Sequence, residues 1–386
     1  MTLERTMSDP MRAVHLTGSI DPAQGGPAYT VPRLCEALEA AGVETELLTL
    51  RDRRGGEIGA TRREFDVWGP QKLGHSPQMW RYLSKRASAN LIDITHSHNL
   101  WQMPQIYPDW LGSRGIPHIV SPRGTLTAYS MSTGSRVKAV HWPLVQRPVL
   151  QRAAAFHATG ETEVEDIRRL GFRQPIALVP VGIDPPPWVA PPPEDARTIV
   201  FLGRLHPEKG PGALIEAWGA IQHQRPDWRL RLIGPDPVGY RRELEAMLAS
   251  GRIERVEFAP PVYGLAKFDA LRKGSIFVLP SPTENFGLVV AEALSVGLPV
   301  IANHGAPWRS LATSGAGWWI PHGAGPLATT LLEATGLPYA QRRAMGEVGR
   351  ALVSRDFDWA SIGRQMADLY AWVLRKGERP DCLVRD

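Results

Sequence analysis

Twice along this chain, short apolar runs alternate with stretches of helical period, and a proline-rich segment separates the two series. In the first series residues 12–16, 44–50, 91–96 and 118–121 read as strands and residues 29–41 as a helix, with turn residues between them. The separator, PPPWVAPPPEDA, follows Gly182-Ile183-Asp184. Prolines fix φ and lack a backbone donor, so this stretch continues neither helix nor sheet and serves as a semi-rigid spacer. The second series has strands at 198–202, 230–233, 256–258, 275–279 and 300–302, and helices at 211–222, 240–250 and 288–296. Strand–helix–strand repeats of this kind build parallel sheets with helices on both faces, so the expected class is α/β with two αβα domains. The expected division is 1–185, a linker at 186–197, a second domain at 198–357, and a final helix and tail at 358–386. The final helix, read over 359–374, carries an apolar stripe through Ile362, Met366, Leu369, Tyr370 and Val373, and by itself fits against either domain.

Composition narrows the function classes. At 386 residues the chain exceeds the usual single-domain size, and 43% hydrophobic against 22% charged residues excludes extensive disorder. Lys and Arg outnumber Asp and Glu by 44 to 39, an excess that suits anionic partners but is too mild, and too dispersed, for nucleic acid. Cys35 and Cys382 stand far apart, which points to neither a disulfide framework nor a zinc site, and makes a reducing cytoplasm the default expectation. MTLERTMSDP has no apolar core of a secretion signal, and the most apolar stretch, 286–302, is interrupted by Glu292, Gly297 and Pro299. Membrane contact is therefore expected to be peripheral.

The motifs with chemical content fall where strands end. FLGRLHPEKG at 201–210 is a strand, a turn at Gly203, and then Arg204 and Lys209 ahead of a helix. A forked guanidinium and a compact ammonium at that place fit a diphosphate, although Glu208 pairing with Lys209 in a solvated loop fits the same letters. SPTENFGLVVAEALSVGLPV at 281–300 sets Glu284 and Glu292 eight residues apart, across Gly287 and into a helix. Glu292 is out of character in an apolar helix; it either faces solvent or finds partners such as vicinal hydroxyls. DPAQGGPAYTVPRL at 21–34 offers amides at Gly25-Gly26 to an anion, or is simply a turn. In DITHSHNLW at 93–101, His96 and His98 point the same way at a strand end; sugar contact, metal ligation and a structural pair all remain open. SPRGTL at 121–126 puts Arg123 where it can meet a phosphate or an acidic sugar. Residues 131–152 interleave Arg136, Lys138, Arg147 and Arg152 with apolar side chains, either a basic amphipathic face for anionic lipid or an ordinary helix broken at Pro143 and Pro148. Asp358, just before the last helix, reads as its N-cap.

Taken in order, GGPAYTVPRL, DITHSHNLW, SPRGTL, VPVGID, FLGRLHPEKG and TENFGLVVAEALSVGLPVI resemble a retaining glycosyltransferase of family 4, over nearly the whole chain. The branch it resembles most builds bacterial surface polysaccharides. The resemblance implies the GT-B fold: two Rossmann-like αβα domains facing a central cleft, with the C-terminal helix crossing back to the N-terminal domain. It implies transfer of a hexose from a UDP- or GDP-sugar to a hydroxyl of a growing lipopolysaccharide, capsule or exopolysaccharide, with retention and without metal or other cofactor. Arg204 and Lys209 are then expected at the donor diphosphate, and Glu292 at the ribose. Glu284, with the amides of Asn285, Phe286, Gly287 and Leu288, is expected at the donor sugar and phosphates. Arg204, Lys209 and Glu284 are the catalytic candidates; Gly203 and the Gly25-Gly26 turn complete the donor set. His98 and Arg123 are the acceptor-side candidates, Arg123 standing where many relatives carry His, and Pro180-Val181-Gly182 departs from the commoner Pro-Asn-Gly pattern. The acceptor implied is a glycan or lipid-linked glycan at the cytoplasmic face of the inner membrane. Two competing functions share the donor site: a GT-B-type sugar-nucleotide epimerase and a non-catalytic nucleotide-sugar-binding subunit.

Overall fold

A computed structural model of the chain describes residues 10–21, 26–51, 62–132, 136–186, 193–194 and 196–385. Gly25 and most of the expected proline-rich linker lie outside the described residues. The chain divides into two compact units, Met1–Gly182 with Trp359–Asp386, and Ile183–Asp358.

The first unit is built on seven strands: β1 (Arg12–Thr17), β2 (Glu44–Leu50), β3 (Arg62–Phe65), β4 (Ile94–His98), β5 (His118–Ser121), β6 (Ala155–Ala158) and β7 (Ile176–Leu178), in the order β3-β2-β1-β4-β5-β6-β7. The second has six: β8 (Thr198–Leu202), β9 (Arg229–Ile233), β10 (Val256–Ala259), β11 (Ile276–Leu279), β12 (Val300–Asn303) and β13 (Gly317–Ile320), in the order β10-β9-β8-β11-β12-β13. Every pairing between these strands is parallel. Helices cover both faces of such sheets, so inner strands are buried along their length, as β6, β11 and β12 are. The edge strands β3 and β10 instead alternate buried or half-buried with exposed positions. Strand β4 is the exception to the apolar rule: Ile-Thr-His-Ser-His is buried at all five positions.

In both sheets the chain starts at an inner strand, adds neighbours on one side, and then crosses to the other. The crossover leaves a switch point between β1 and β4 in the first sheet and between β8 and β11 in the second. Open α/β sheets bind ligands beyond the carboxyl ends of strands at such points.

The Trp359–Val373 helix starts directly after Asp358 and packs against the Gly26–Ala40 helix of the first unit. Its Ile362, Met366, Leu369 and Tyr370 are all buried. The chain leaves the first unit at Gly182, where a Cβ would lie 2.3 Å from the Trp359 ring, so only glycine fits. The 131–152 region contains short helices joined by a π-helical stretch, Trp142–Gln146, where Pro143 interrupts regular α geometry. Val149 and Leu150 face the core, whereas Val140 and Leu144 are 59% and 71% exposed.

Candidate functional site

The second unit's switch point gathers the charged candidates. After β8 the chain makes one tight turn, Pro207–Lys209, opened by His206, whose Nδ1 accepts the Glu208 amide at 3.2 Å. Gly210 closes the turn at φ +69°, and a Cβ there would sit 2.4 Å from the Pro280 carbonyl. The loop after β8 is thus laid against the loop after β11, and Lys209 Nζ donates to Glu284 Oε1 at 2.6 Å although the two are 75 residues apart. Ser281 Oγ donates to the same carboxylate oxygen at 2.8 Å. The Glu208 partner is Arg204, at 3.6 Å, rather than the Lys209 pairing the letters allow, because the turn points Lys209 toward Glu284. Arg204 remains half exposed, and the Gly203 amide continues the ladder to Ile233 at 2.9 Å.

The 280–287 loop is held from the next strand over. Asn303, at the end of β12, donates to the Pro280 carbonyl at 2.7 Å, the Glu284 amide donates to Gly305 at 2.8 Å, and Trp308 Nε1 donates to the Phe286 carbonyl at 2.6 Å. The Phe286 ring is buried against Trp308 and Phe357, with centroids 5.4 and 5.6 Å away, so that side chain serves packing and leaves only its backbone for a ligand. Gly287 caps the Leu288–Ser295 helix in a left-handed conformation, φ +75°. The amides of Phe286, Gly287 and Leu288 have no backbone acceptor among the described residues, which leaves a row of donors at a helix start. One turn further on, the Glu292 carboxylate is buried, with 7% of its side chain exposed, and forms an ion pair with Lys267 of the Leu265–Arg272 helix. The solvent-facing alternative for Glu292 therefore does not hold. Nothing in GLAKFDALRKG sets Lys267 apart from its neighbours; only the packing of the two helices selects it.

The first unit's switch point holds a different constellation. His15 of β1 pairs in register with His96 of β4, and both are fully buried together with His98. His98 Nε2 and His15 Nδ1 are 3.0 Å apart, His15 Nε2 and Tyr370 Oη 3.2 Å, and Tyr370 Oη and His96 Nδ1 2.7 Å. His96 Nε2 lies 2.7 Å from Ser121 Oγ, which lies 2.7 Å from His157 Nδ1, and His157 Nε2 is 2.9 Å from the Val179 carbonyl. Burial, assisted by the charge of Arg123, pulls His15 and His157 down to about 3 and holds His96 and His98 well below the ordinary imidazole range. Neighbouring His118, bonded to Ser97 Oγ at 2.7 Å, is lowered by burial to about 4. His15 is legible as a histidine inside an apolar strand, RAVHLT, whereas nothing in the letters links it to Tyr370 or His157 in one chain.

Arg123 stands in a left-handed backbone conformation, φ +55°, and is partly buried. Burial lowers its guanidinium to about 10, against the opposing influence of Glu163 and Tyr370. Glu163, itself buried, fixes this loop by accepting the Gly124 and Thr159 amides at 2.8 Å each. Of the two acceptor-side candidates, then, Arg123 keeps some exposed surface and His98 keeps none. Gly26 begins its helix three residues earlier than the pattern at Tyr29 indicated.

Two parallel-sheet α/β units, each with a switch point, and a last helix returned to the first have the architecture of the GT-B fold. Residues 25–182 match the glycosyl transferase 4-like domain, and residues 196–334 match glycosyl transferases group 1. Similar proteins include the D-inositol 3-phosphate glycosyltransferases of Xylanimonas cellulosilytica, 28% identical over 75% of this chain and 74% of the relative, and of Salinispora tropica, 25% identical over 95% and 84%. Among solved structures, sucrose-phosphate synthase from Thermosynechococcus elongatus superposes with a TM-score of 0.72 at 23% identity, covering 95% of this chain and 99% of its own. HepE of Anabaena, in complex with UDP-glucose, gives 0.72 at 17% identity over 94% and 100%. The chain belongs to the family 4 glycosyltransferases of GT-B fold.

Proposed function

We propose that this glycosyltransferase takes a hexose from a UDP- or GDP-sugar and transfers it, with retention and without a metal ion, to a hydroxyl of a growing bacterial glycan. The observation that carries the reading is the Lys209–Glu284 pair, which joins the loops that follow the neighbouring strands β8 and β11, with Arg204 on the same loop as Lys209. Without an anion, each cation is partly neutralised by its own carboxylate: Arg204 by Glu208 and Lys209 by Glu284. A donor diphosphate offers a denser charge, so both cations turn to it and stabilise the nucleoside diphosphate as the glycosidic bond breaks. Glu284, released from Lys209, and the free amides before the Leu288–Ser295 helix take the transferred sugar and the phosphates. Glu292 takes the ribose hydroxyls. Attack on the face the leaving group departs from lets the phosphate itself receive the acceptor proton, so no side chain acts as nucleophile. The exposed Val140 and Leu144, with Arg147 beside them, give this family member a peripheral contact with anionic membrane. No helix among the described residues is long and apolar enough to cross a membrane.

The test is a thermal-shift screen with UDP, GDP, ADP and their common sugars, followed by kinetics of Lys209→Ala and Glu292→Ala. A matching nucleotide raises the melting point, because it binds only the folded state. Lys209→Ala is expected to lower kcat/KM by about 10²- to 10³-fold, as removal of one preorganised charge donor does. Glu292→Ala is expected mainly to raise donor KM, by about tenfold or more. Wild-type turnover in both variants at subsaturating donor would sink the assignment.

A further inference from the structure

The hydrogen-bond chain in the first unit has a direction, and that direction follows from one carbonyl. Val179 O can only accept, so His157 Nε2 carries a hydrogen. Buried and held near 3, His157 is neutral, and its Nδ1 must accept from Ser121 Oγ. Ser121 has then spent its hydrogen, so it accepts from His96 Nε2. Neutral His96 in turn accepts at Nδ1 from the Tyr370 hydroxyl, which accepts from His15 Nε2, and His15 Nδ1 accepts from His98 Nε2. Each ring has a single hydrogen, each donor a single acceptor, and no step can be reversed without breaking the bond to Val179. The chain ends at His98 Nδ1, a bare lone pair that is buried and has no protein partner among the described residues.

A buried acceptor left unmatched costs about 1–3 kcal/mol, and a native structure that keeps one has a use for it. The position supplies the use. His98 is the last residue of β4, at the switch point with β1, where open α/β sheets receive ligands. Arg123, whose charge is felt at His98, can only donate, and its Nε is buried without a partner. A bare acceptor within the field of a pure donor matches a hydroxyl, which gives one hydrogen bond and receives another.

We propose that this chain holds His98 Nδ1 unprotonated to receive a hydroxyl of the sugar acceptor, and that Tyr370 of the last helix is the positioning residue that relays the direction set at Val179 to His15 and His98. The inference rests on the glycosyltransferase reading for the identity of that hydroxyl, but the proton arrangement is a property of the chain alone. A metal reading of the same residues fits less well. One ligand atom each from His15, His96 and His98 lies within 4.8 Å of the others, yet a cation would have to displace bonds already made by His15, His96 and His98, beside the like charge of Arg123.

The test uses the full chain labelled with ¹⁵N-histidine, in wild-type and Tyr370→Phe forms. In wild type at pH 7.5, His15, His96, His98 and His157 are expected to be protonated at Nε2 only, with His98 Nδ1 carrying the resonance of an unbonded lone pair. Adding glucose or D-inositol 3-phosphate in the presence of UDP is expected to move the His98 Nδ1 resonance toward its hydrogen-bonded position. In Tyr370→Phe, His15 and His98 are expected to show mixed tautomers, and kcat/KM for the responding hydroxyl compound to fall about five- to tenfold, the worth of one hydrogen bond. UDP affinity is expected to stay within twofold. Protonation of His98 at Nδ1 overturns the proposal. So does a wild-type Nδ1 resonance that is already hydrogen-bonded and unmoved by either probe, which means a buried water only. Displacement of all three histidine resonances by one equivalent of zinc, with the Nε2 hydrogens lost, replaces it with a metal site. If Tyr370→Phe fails to fold, the wild-type tautomers and titrations still decide. Absence of any nucleotide-sugar binding by wild type is a separate failure, of the transfer reading and not of the proton arrangement.

Discussion

The two sheets share a strand order through their first six strands yet fill their switch points with opposite chemistry. Between β8 and β11 stand charges in pairs, Lys209 with Glu284 and Arg204 with Glu208, the arginine half exposed. Between β1 and β4 stand neutral rings, fully buried and joined through hydroxyls. A paired charge near water can change partners, because its attraction to one carboxylate is modest and screened. A directed chain of neutral groups in the interior cannot, since any reversal leaves a donor or acceptor unmatched. On the proposed function, the second unit releases cations to an arriving anion, while the first holds its groups in one fixed arrangement.

Acid is the strongest way to break this contrast. His15, His96, His98, His118 and His157 all have folded-state values below the ordinary value of about 6.5. As pH falls, the unfolded chain therefore takes up protons first; stability present above pH 6.5 is lost on the way toward the folded values near 3 and 4. Each histidine contributes up to about 1.4 kcal/mol per pH unit in that window, so the five together remove several kcal/mol between pH 6.5 and 5. Urea midpoints at pH 7.5, 6 and 5 measure it, with backbone amides of β1, β4 and β5 losing exchange protection before those of β8 and β11. Equal loss in both sheets would erase the distinction.

A smaller effect tests a buried ion pair of the second unit. Lys267→Met leaves the Glu292 carboxylate buried and unpaired, which is expected to cost about 3–5 kcal/mol; Lys267→Met with Glu292→Leu should regain most of it, because a packed apolar pair replaces an ion pair at little net cost. If the single substitution is neutral in chemical denaturation, Glu292 reaches water and the ion pair is incidental.

The contrast also explains what was legible in the letters. Strands such as Thr198–Leu202 and Ile276–Leu279 announce themselves because a two-faced sheet demands continuous apolar runs. Arg62–Phe65 and Ala155–Ala158 did not, one being a charged edge and the other four residues inside LQRAAAFHATG. The loops bearing Arg204, Lys209, Glu284 and Glu292 could be read from glycine turns ahead of helices. That Lys209 meets Glu284 could not, since the contact depends on β8 lying beside β11, an order that periodicity does not carry. The histidine chain is less legible still: His15, His96, Ser121, His157 and Tyr370 come from four strands and the last helix, and each alone looks like an ordinary polar residue in a core.

The smallest expected effect sharpens how the second site is held. Trp308 contributes both a ring tilted against that of Phe286 and an Nε1–H to the Phe286 carbonyl, two residues from Glu284. Trp308→Phe keeps the aromatic contact and removes the donor, leaving a buried carbonyl with one bond fewer. The expected loss is about 1 kcal/mol, or about 2–4 °C in Tm for a unit of this size. Because the Glu284 amide remains tied to Gly305 and Pro280 to Asn303, Glu284 should keep its place and donor KM should change less than about threefold. A large rise in donor KM at that small cost in Tm would mean that the Glu284 loop depends on Trp308 alone. The second site would then be a single-strut arrangement, more fragile than the charge pairs that fill it.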